Sequence, residues 1–516
     1  MVILNILSVF AGALYASGFP ILGTTYYFFP GPILGLTLFG IVITKASKLS
    51  SQILLWLSLS LGFYGLGFNW IPYTLYEFGS VPSPINQIIG VLSSVILLPP
   101  VLIFIFAMNL GRKLIPKKMH QLLSGPVMLS FIGTTLFQVV PSQFPAFPGH
   151  SWLALSPYLG LGKIFGEQIF TFISLFSCFH FLRIIKNKKV EKNFPITVGV
   201  FLALNLIIPL GDVGFKEKVS VRIIQANIGN DSKTASENGD VKSIFEIFDK
   251  YHELSLRPSK TKLDLIIWPE TAYPYNINSH KIKSNPYFTP GLIKEIIAST
   301  KASLLFGVRD APTEDTLYNS AMLIDTNLKS DIYYKNKLLP FGEDIPLGSL
   351  TPHVRPYFPG IAFFDKGKTT TVFNLPNEAK FSSIICYEVL FPTLIFNQLT
   401  EEDLFPDFFV NITNDSWYGN TSEPEQHLFL SRWRPIEFGI PLIRSTNTGI
   451  STVIYTNGNT SKRLEYGTEG NLDVFVPIGQ GNRTPFSQYG HAPFYLFFLI
   501  YIAARLIIFR RRESLL

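Results

Sequence analysis

Two kinds of hydrophobic pattern divide the chain. Up to about residue 210, long apolar runs alternate with short polar breaks, and a helix that crosses the hydrocarbon core of a bilayer needs roughly 20 such residues. The pattern predicts spans over Val2–Leu22, Phe29–Thr44, Gln52–Phe68, Ile88–Met108, His120–Val139, Leu161–Leu182 and Phe194–Leu210, with an eighth over Pro493–Phe509. The fourth carries no charge but contains Pro99-Pro100, which predicts a kink. Beyond Lys216 the apolar runs shorten to the length of buried strands: Val219–Ile224, Leu263–Trp268, Ser303–Val308, Ala321–Asp325, Phe381–Ile385, Phe408–Ile412 and Thr452–Tyr455. Helical patterns such as Val241–Leu256 and Gly291–Thr300 lie between them, and the polar stretch 231–240 reads as a loop. Strands alternating with helices predict an α/β layered domain.

Three regions follow. Residues 1–214 form a transmembrane domain of about seven helices, 216–484 a separate α/β domain, and 491–516 a last span with a basic tail. Charge orients them. Lys45 and Lys48 follow the second span, Arg112, Lys113, Lys117 and Lys118 the fourth, Arg183 to Lys192 the sixth, and Arg510 to Arg512 the last. The alternate loops, 23–28, 70–86 and 140–160, contain no Lys or Arg. Basic loops stay in the cytoplasm, so both termini are expected there and 216–484 is expected outside it. Trp152 and Phe147, in one of the outer loops, are candidates for lipid contact.

Composition agrees with this division. Charged residues make up 15% of the chain, against about 25% in soluble domains, and mean hydropathy is +0.29. The formal charge of +7 is accounted for largely by the cytoplasmic loops, so it gives no support to nucleic-acid binding. Two cysteines in 516 residues exclude a disulfide scaffold or a Cys-rich zinc site. No Gly-rich phosphate loop and no His-rich metal motif occurs.

One of the two cysteines is a candidate nucleophile. Cys386 directly follows the run Phe381–Ile385, where a turn can expose its side chain; a lone cysteine is more often a small buried hydrophobe. Cys178 falls inside a predicted span, where packing is the simpler role. Glu270 ends the strand pattern of Leu-Ile-Ile-Trp-Pro-Glu, and Lys335 and Glu343 frame Tyr-Tyr-Lys-Asn-Lys-Leu-Leu-Pro-Phe-Gly-Glu. A thiol, a carboxylate base and a lysine make a coherent acyl-transfer set: the base takes the thiol proton and the lysine offsets negative charge.

These motifs, in this order, resemble the Glu-Lys-Cys set of the carbon–nitrogen hydrolase (nitrilase) superfamily. With the membrane spans, the Pro-Phe-Gly-Glu element, Asn414-Asp415-Ser416-Trp417-Tyr418-Gly419, Gln426-His427, Arg444 to Gly449 and Gln225-Ala226-Asn227-Ile228, the chain is similar over nearly its whole length to the apolipoprotein N-acyltransferase family. The resemblance implies a four-layer αββα nitrilase-like sandwich inserted in a multi-span membrane domain of about eight helices. It makes Cys386 the nucleophile, Glu270 the general base and Lys335 the oxyanion-site lysine, with Glu343, Tyr387 and Glu388 in support. It further implies a phospholipid acyl donor and a diacylglyceryl apolipoprotein acceptor. It places the enzyme in a bacterial inner membrane with the catalytic domain on the periplasmic side, working as a monomer without metal or cofactor. Two features depart from the family: no Trp follows the Gln-x-Asn-Ile element, and Asp344 replaces the usual aromatic after Pro-Phe-Gly-Glu. A membrane-anchored amidase using water, or a silent paralogue that binds lipoproteins, are the alternative readings.

Overall fold

The computed structural model describes the chain except for residues 22, 78–80, 117–124, 143, 211–216, 341, 346–347, 356–361, 402–404, 480–482 and 514–516. The predicted boundary near residue 215, Lys117 and Lys118, and the first residues of the predicted span His120–Val139 lie outside the described residues.

Helices occupy each of the long apolar stretches. Leu49–Gly67 and Gln168–Asn187 are long and apolar enough to cross a membrane. The segments Ile85–Ile96 and Pro99–Leu114 form a third candidate across a 43° bend. The bend falls where the sequence placed it: Pro99 and Pro100 start the second segment, where their missing N–H groups cost the helix nothing. Val2–Ala16, Gly31–Ile43, Pro126–Val139, Asn193–Ile207 and Ala492–Ile508 are shorter apolar helices. The predicted span from Leu161 begins too early, since a short turn Gly162–Phe165 breaks before Gln168. Helices Val2–Ala16 and Leu49–Gly67 touch backbone to backbone. A Cβ at Gly12 would lie 1.9 Å from the Leu59 carbonyl oxygen, and one at Gly62 1.9 Å from that of Val9. Small residues permit that approach.

Trp152 does not face lipid. It is buried edge-on against Phe29 and Phe201, at centroid distances of 4.9 and 5.4 Å, and its indole N–H donates to Ser174 Oγ over 2.9 Å. The interior offers both an aromatic pocket and a hydrogen-bond partner, which a lipid-facing position would lack.

Twelve strands are described: β1 (Glu217–Gln225), β2 (Leu265–Ile267), β3 (Asn276–Ile277), β4 (Ser303–Asp310), β5 (Tyr318–Ile324), β6 (Ser330–Tyr334), β7 (Val372–Asn374), β8 (Lys380–Ile385), β9 (Phe408–Thr413), β10 (Leu442–Thr446), β11 (Thr452–Ile454) and β12 (Gly470–Ile478). They form two sheets, ordered β12-β1-β2-β4-β5-β6 with β3 beside β4, and β11-β10-β9-β8-β7. The inner strands β1-β2-β4 and β8-β9-β10 run parallel. Alternation along β1, β2, β4 and β5 separates two cores. Val221, Ile223, Leu265, Ile267 and Leu305 point to the second sheet and join Phe381, Ile385, Phe408 and Ile412. Their neighbours Ile224, Ile266, Trp268, Leu304 and Phe306 point outward, onto Ile247, Tyr251, Ile293 and Ile297 of helices Val241–Leu256 and Gly291–Thr300. Sheet lies on sheet with helices outside, a nitrilase-like α/β fold.

The polar segment 231–240 is largely helical, over Asn230–Glu237, instead of a loop. Lys233 and Ser236, three apart, turn one face inward and are buried, so polar side chains rather than apolar ones anchor it.

The α/β domain rests on the apolar helices through a few specific contacts. Gln426 Nε2 donates to the carbonyls of Pro20 and Gly67 over 2.8 and 2.7 Å, and its Oε1 accepts from the Trp70 indole over 3.1 Å. Trp70 also meets Tyr418 edge-on at 5.4 Å.

Candidate active site

Strand ends of both sheets converge on one buried cluster. Pro269 closes β2, and the chain turns through Glu270 to Thr271, whose φ is +46°. Gly307 of β4 lies beneath this turn; a Cβ there would sit 2.4 Å from the Pro269 carbonyl oxygen and 2.5 Å from Glu270 Cα. Glu270 is 6% exposed. Its Oε1 accepts from Lys335 Nζ over 3.0 Å and Asn319 Nδ2 over 2.8 Å, and its Oε2 accepts from the Asn414 backbone N–H over 3.0 Å.

Lys335 leaves the end of β6 and is 1% exposed. Its ammonium also reaches Glu343 Oε1 at 2.9 Å, while Glu343 Oε2 accepts from the Leu339 N–H over 2.8 Å. Burial works against the ammonium, but Glu270, Glu343 and the nearby Cys386 outweigh it and hold Lys335 well above the ordinary lysine value. Lys335 therefore stays charged.

Cys386 follows β8 at φ +54°, a left-handed turn that lifts the side chain off the sheet. Burial pushes its thiol well above the usual value and Glu270 adds to this; Lys335 and the Thr413 hydroxyl oppose it only in part. At neutral pH Cys386 is therefore held as a thiol. The structure thus brings Glu270, Lys335, Glu343 and Cys386 together.

Tyr387 and Glu388 brace the same turn. The Tyr387 hydroxyl donates to the Leu338 carbonyl, and Lys335 Nζ lies 5.8 Å from the Tyr387 ring centroid. Glu388 is fully buried. It accepts from the N–H groups of Asn336 and Lys337 over 2.7 and 2.8 Å, from that of Ile385 over 2.9 Å and from the Tyr333 hydroxyl over 3.0 Å. Burial pushes its carboxyl up to about 7, against the Ile385 and Lys337 N–H groups, Lys335 and the Tyr333 hydroxyl. One carboxyl group therefore fixes the segment after Lys335 relative to the strand before Cys386.

The profile of the carbon-nitrogen hydrolase family matches residues 220–480. The chain belongs to the carbon–nitrogen hydrolase family. Its similarity to curated proteins extends beyond that domain. An apolipoprotein N-acyltransferase of Haemophilus ducreyi is 29% identical over 472 residues, 88% of this chain and 87% of that one. One of Haemophilus influenzae is 25% identical over 508 residues, 94% of this chain and 92% of that one. Among solved structures, a carbon–nitrogen hydrolase superfamily protein of Xanthomonas campestris aligns with TM-score 0.35 and 16% identity, over 54% of this chain and 97% of that chain. This carbon–nitrogen hydrolase is an enzyme of the N-acyltransferase type.

A second buried network supports the site from below. Arg444 Nη2 meets Asp415 Oδ2 at 2.7 Å, and Asp415 Oδ1 faces His427 Nδ1 at 3.3 Å. Burial alone would raise the Asp415 carboxyl, but Arg444 and His427 hold it down at about 2. Burial and Asp415 together push neighbouring Glu423 well above the carboxylate range. Asp415, Glu423 and His427 bring three ligand-type atoms within 4.8 Å. Arg444 already neutralises Asp415, so a cation there would face a guanidinium; the set suits a structural ion pair better than a metal.

Sequence reasoning missed Asn319, which donates to both Glu270 and Glu343. A single Asn within a strand pattern carries no signal of that role. It also missed Asn411, which donates to the Cys386 carbonyl over 3.0 Å.

Proposed function

We propose that this carbon–nitrogen hydrolase is an apolipoprotein N-acyltransferase, which moves an acyl chain from a membrane phospholipid to the α-amino group of a diacylglyceryl-cysteine. The observation that carries the reading is the placement of the buried cluster. The segment that hydrogen-bonds Glu270 through Asn414 continues to Tyr418, which packs on Trp70 at the end of an apolar helix. A site on lipid-anchored substrates needs that proximity, and a soluble amide does not. The helices also leave Ile3, Leu114, Leu206, Ile207 and Leu499 more than 60% exposed, a surface that suits lipid better than water.

Eight spans, cytoplasmic termini and a periplasmic α/β domain in a bacterial inner membrane belong to the same reading, supported by the alternation of basic loops. So do the domain limits 1–214, 216–484 and 491–516, and action as a monomer.

In the first half-reaction Glu270 takes the Cys386 proton as the sulfur attacks the donor ester carbonyl. Lys335 stabilises the negative charge that builds on the carbonyl oxygen. Collapse expels the lysophospholipid alkoxide, which receives the proton from Glu270 and leaves a thioester on Cys386. In the second, the amine attacks the thioester, Glu270 accepts a proton from it and returns one to the departing sulfur. Glu343 balances Lys335, and Tyr387 and Glu388 hold the loop. Neither departure from the family pattern removes Glu270, Lys335 or Cys386.

The test is product analysis. Purified protein given phospholipid and a diacylglyceryl lipopeptide should yield N-acylated peptide as the main product. Free fatty acid in its place would favour the water-using amidase.

A further inference from the structure

Aminolysis of the thioester poses a problem of proton balance. Thioester formation releases no net proton: Cys386 loses one and the departing alkoxide gains one. Its resolution does release one. An α-amino group of pKa about 8 arrives at neutral pH mostly as an ammonium with three N–H protons. One remains on the amide, one returns to the Cys386 sulfur, and the third must leave. Glu270, the group that takes it, is buried and hydrogen-bonded on both oxygens.

A cavity of about 20 Å³ adjoins Glu270, its mixed lining including the polar side chains of Thr271, Lys233, Glu237 and Arg309; neither Cys386 nor any apolar helix contributes to it. It has room for one water, which needs at least about 10–15 Å³. Lys233 is buried within its wall, and its ammonium donates to the Thr271 hydroxyl. With the Asn414 amide turned as its neighbours require, Lys233 Nζ also donates to Asn414 Oδ1 over 2.9 Å. Lys233 thus bonds the residue that follows Glu270 in the chain and the residue whose N–H holds Glu270 from across the site. At the cavity's outer end Arg309 Nη1 meets Glu237 Oε1 at 3.4 Å, and the Glu237 side chain is open to solvent. Tyr251, Tyr273, Ile228 and Ile247 are among the other residues of the wall. Burial lowers the Lys233 ammonium from its ordinary value, offset in part by Glu237 and Glu270, a direction that favours proton release.

We propose that Lys233 and the water-sized cavity beside Glu270 form the proton exit of the second half-reaction, delivering the acceptor's surplus proton to Glu237 and bulk water. The proposal rests on the N-acyltransferase reading. The ammonium gives its first proton to Glu270. The Lys233 ammonium releases one of its own protons toward Glu237 and the solvent, and the resulting amine takes the proton that Glu270 passes through the cavity, so Lys233 ends as it began. The free amine then attacks the thioester carbon, and its second proton returns through Glu270 to sulfur as the C–S bond breaks.

The two half-reactions separate the possibilities. Full-length protein in detergent is loaded with phospholipid, the acyl-enzyme is followed by mass, and a diacylglyceryl lipopeptide is then added. At pH 7, Lys233→Met should slow resolution at least about tenfold more than it slows loading, the scale of a lost proton-transfer group. The deficit should shrink toward pH 9, where the acceptor arrives as a free amine with no proton to export. Lys233→Arg should not rescue it, since a guanidinium does not release a proton in this range. Glu237→Gln, at an exposed position, should show the same pH-dependent deficit at smaller size, and it decides the matter if Lys233→Met does not fold. Equal slowing of both half-reactions at every pH, or unchanged resolution in both variants, would overturn the proposal. A wild type that loads but only hydrolyses its thioester would instead sink the N-acyltransferase reading beneath it.

Discussion

Asn411 ties down the backbone of Cys386: its Nδ2 donates to the Cys386 carbonyl over 3.0 Å and to that of Ile384 over 3.1 Å. The clamp matters because Cys386 occupies a left-handed conformation that costs a residue with a Cβ on the order of 1–2 kcal/mol. Arg444 Nη1 donates to Asn411 Oδ1 over 2.8 Å and fixes the amide's orientation, while its Nη2 pairs with Asp415.

Arg444→Met should therefore do two kinds of damage. It strands the Asp415 charge in the interior, which costs about 3–5 kcal/mol, and it frees Asn411 to turn. Thermal unfolding in detergent should fall well below that of the wild type. Arg444→Lys should recover only part of the loss, because one ammonium cannot reproduce both guanidinium bonds.

Acid stability should report the same pair. Asp415 is held down at about 2 when folded and lies near 3.9 when unfolded. Its contribution is therefore present above about pH 4 and lost as pH falls toward 2. In Asp415→Asn that part of the acid dependence should vanish, read as near-UV circular dichroism against pH, although the variant is less stable at neutral pH.

The thiol and the base should respond in opposite directions to one substitution. Burial and Glu270 raise Cys386, and Lys335 opposes them. Alkylation of the wild type by iodoacetamide should be slow at pH 7 and still rising beyond pH 9. Glu270→Gln should shift that profile to lower pH, since the carboxylate that raises the thiol is gone and Lys335 keeps only Glu343 as a counter-charge. The same variant should nevertheless lose acyl transfer by at least about a hundredfold, the low end for a general base. An unmoved alkylation profile would mean that Glu270 does not govern the thiol.

Much of this site was legible because its residues end apolar runs. Leu263–Trp268 leads to Glu270 and Phe381–Ile385 to Cys386, and the two runs correspond to β2 and β8. Two of the strands that escaped notice, β10 and β12, carry charge within them. Arg444 in β10 is buried against Asp415, and Asp473 in β12 stays exposed while it pairs with the buried Arg222, both partners being remote in sequence. The pairing of β1 with β12, which closes one sheet, joins Glu217 to Ile478; no local pattern announces it. Helix Asn230–Glu237 was misread because its buried face is Lys233 and Ser236. A hydrophobic-period reading cannot see a helix anchored by an ammonium.

Membrane orientation is open to a direct check. Ser284 is exposed in the α/β domain. Ser284→Cys in a background without Cys178 and Cys386 should react with an impermeant maleimide in intact spheroplasts. Reaction only after lysis would place the domain in the cytoplasm and remove access to periplasmic acceptors.

The covalent step is tested most directly by the mass of the peptide that carries Cys386. Wild-type protein incubated with phospholipid alone should gain one acyl group on that peptide, removable by neutral hydroxylamine. Cys178→Ala should behave alike, since Cys178 only packs and donates to the Ile33 carbonyl over 3.1 Å. Glu270→Gln should acquire the adduct far more slowly, and Cys386→Ala should show none. N-acylation of lipopeptide by folded, membrane-inserted Cys386→Ala would contradict the account.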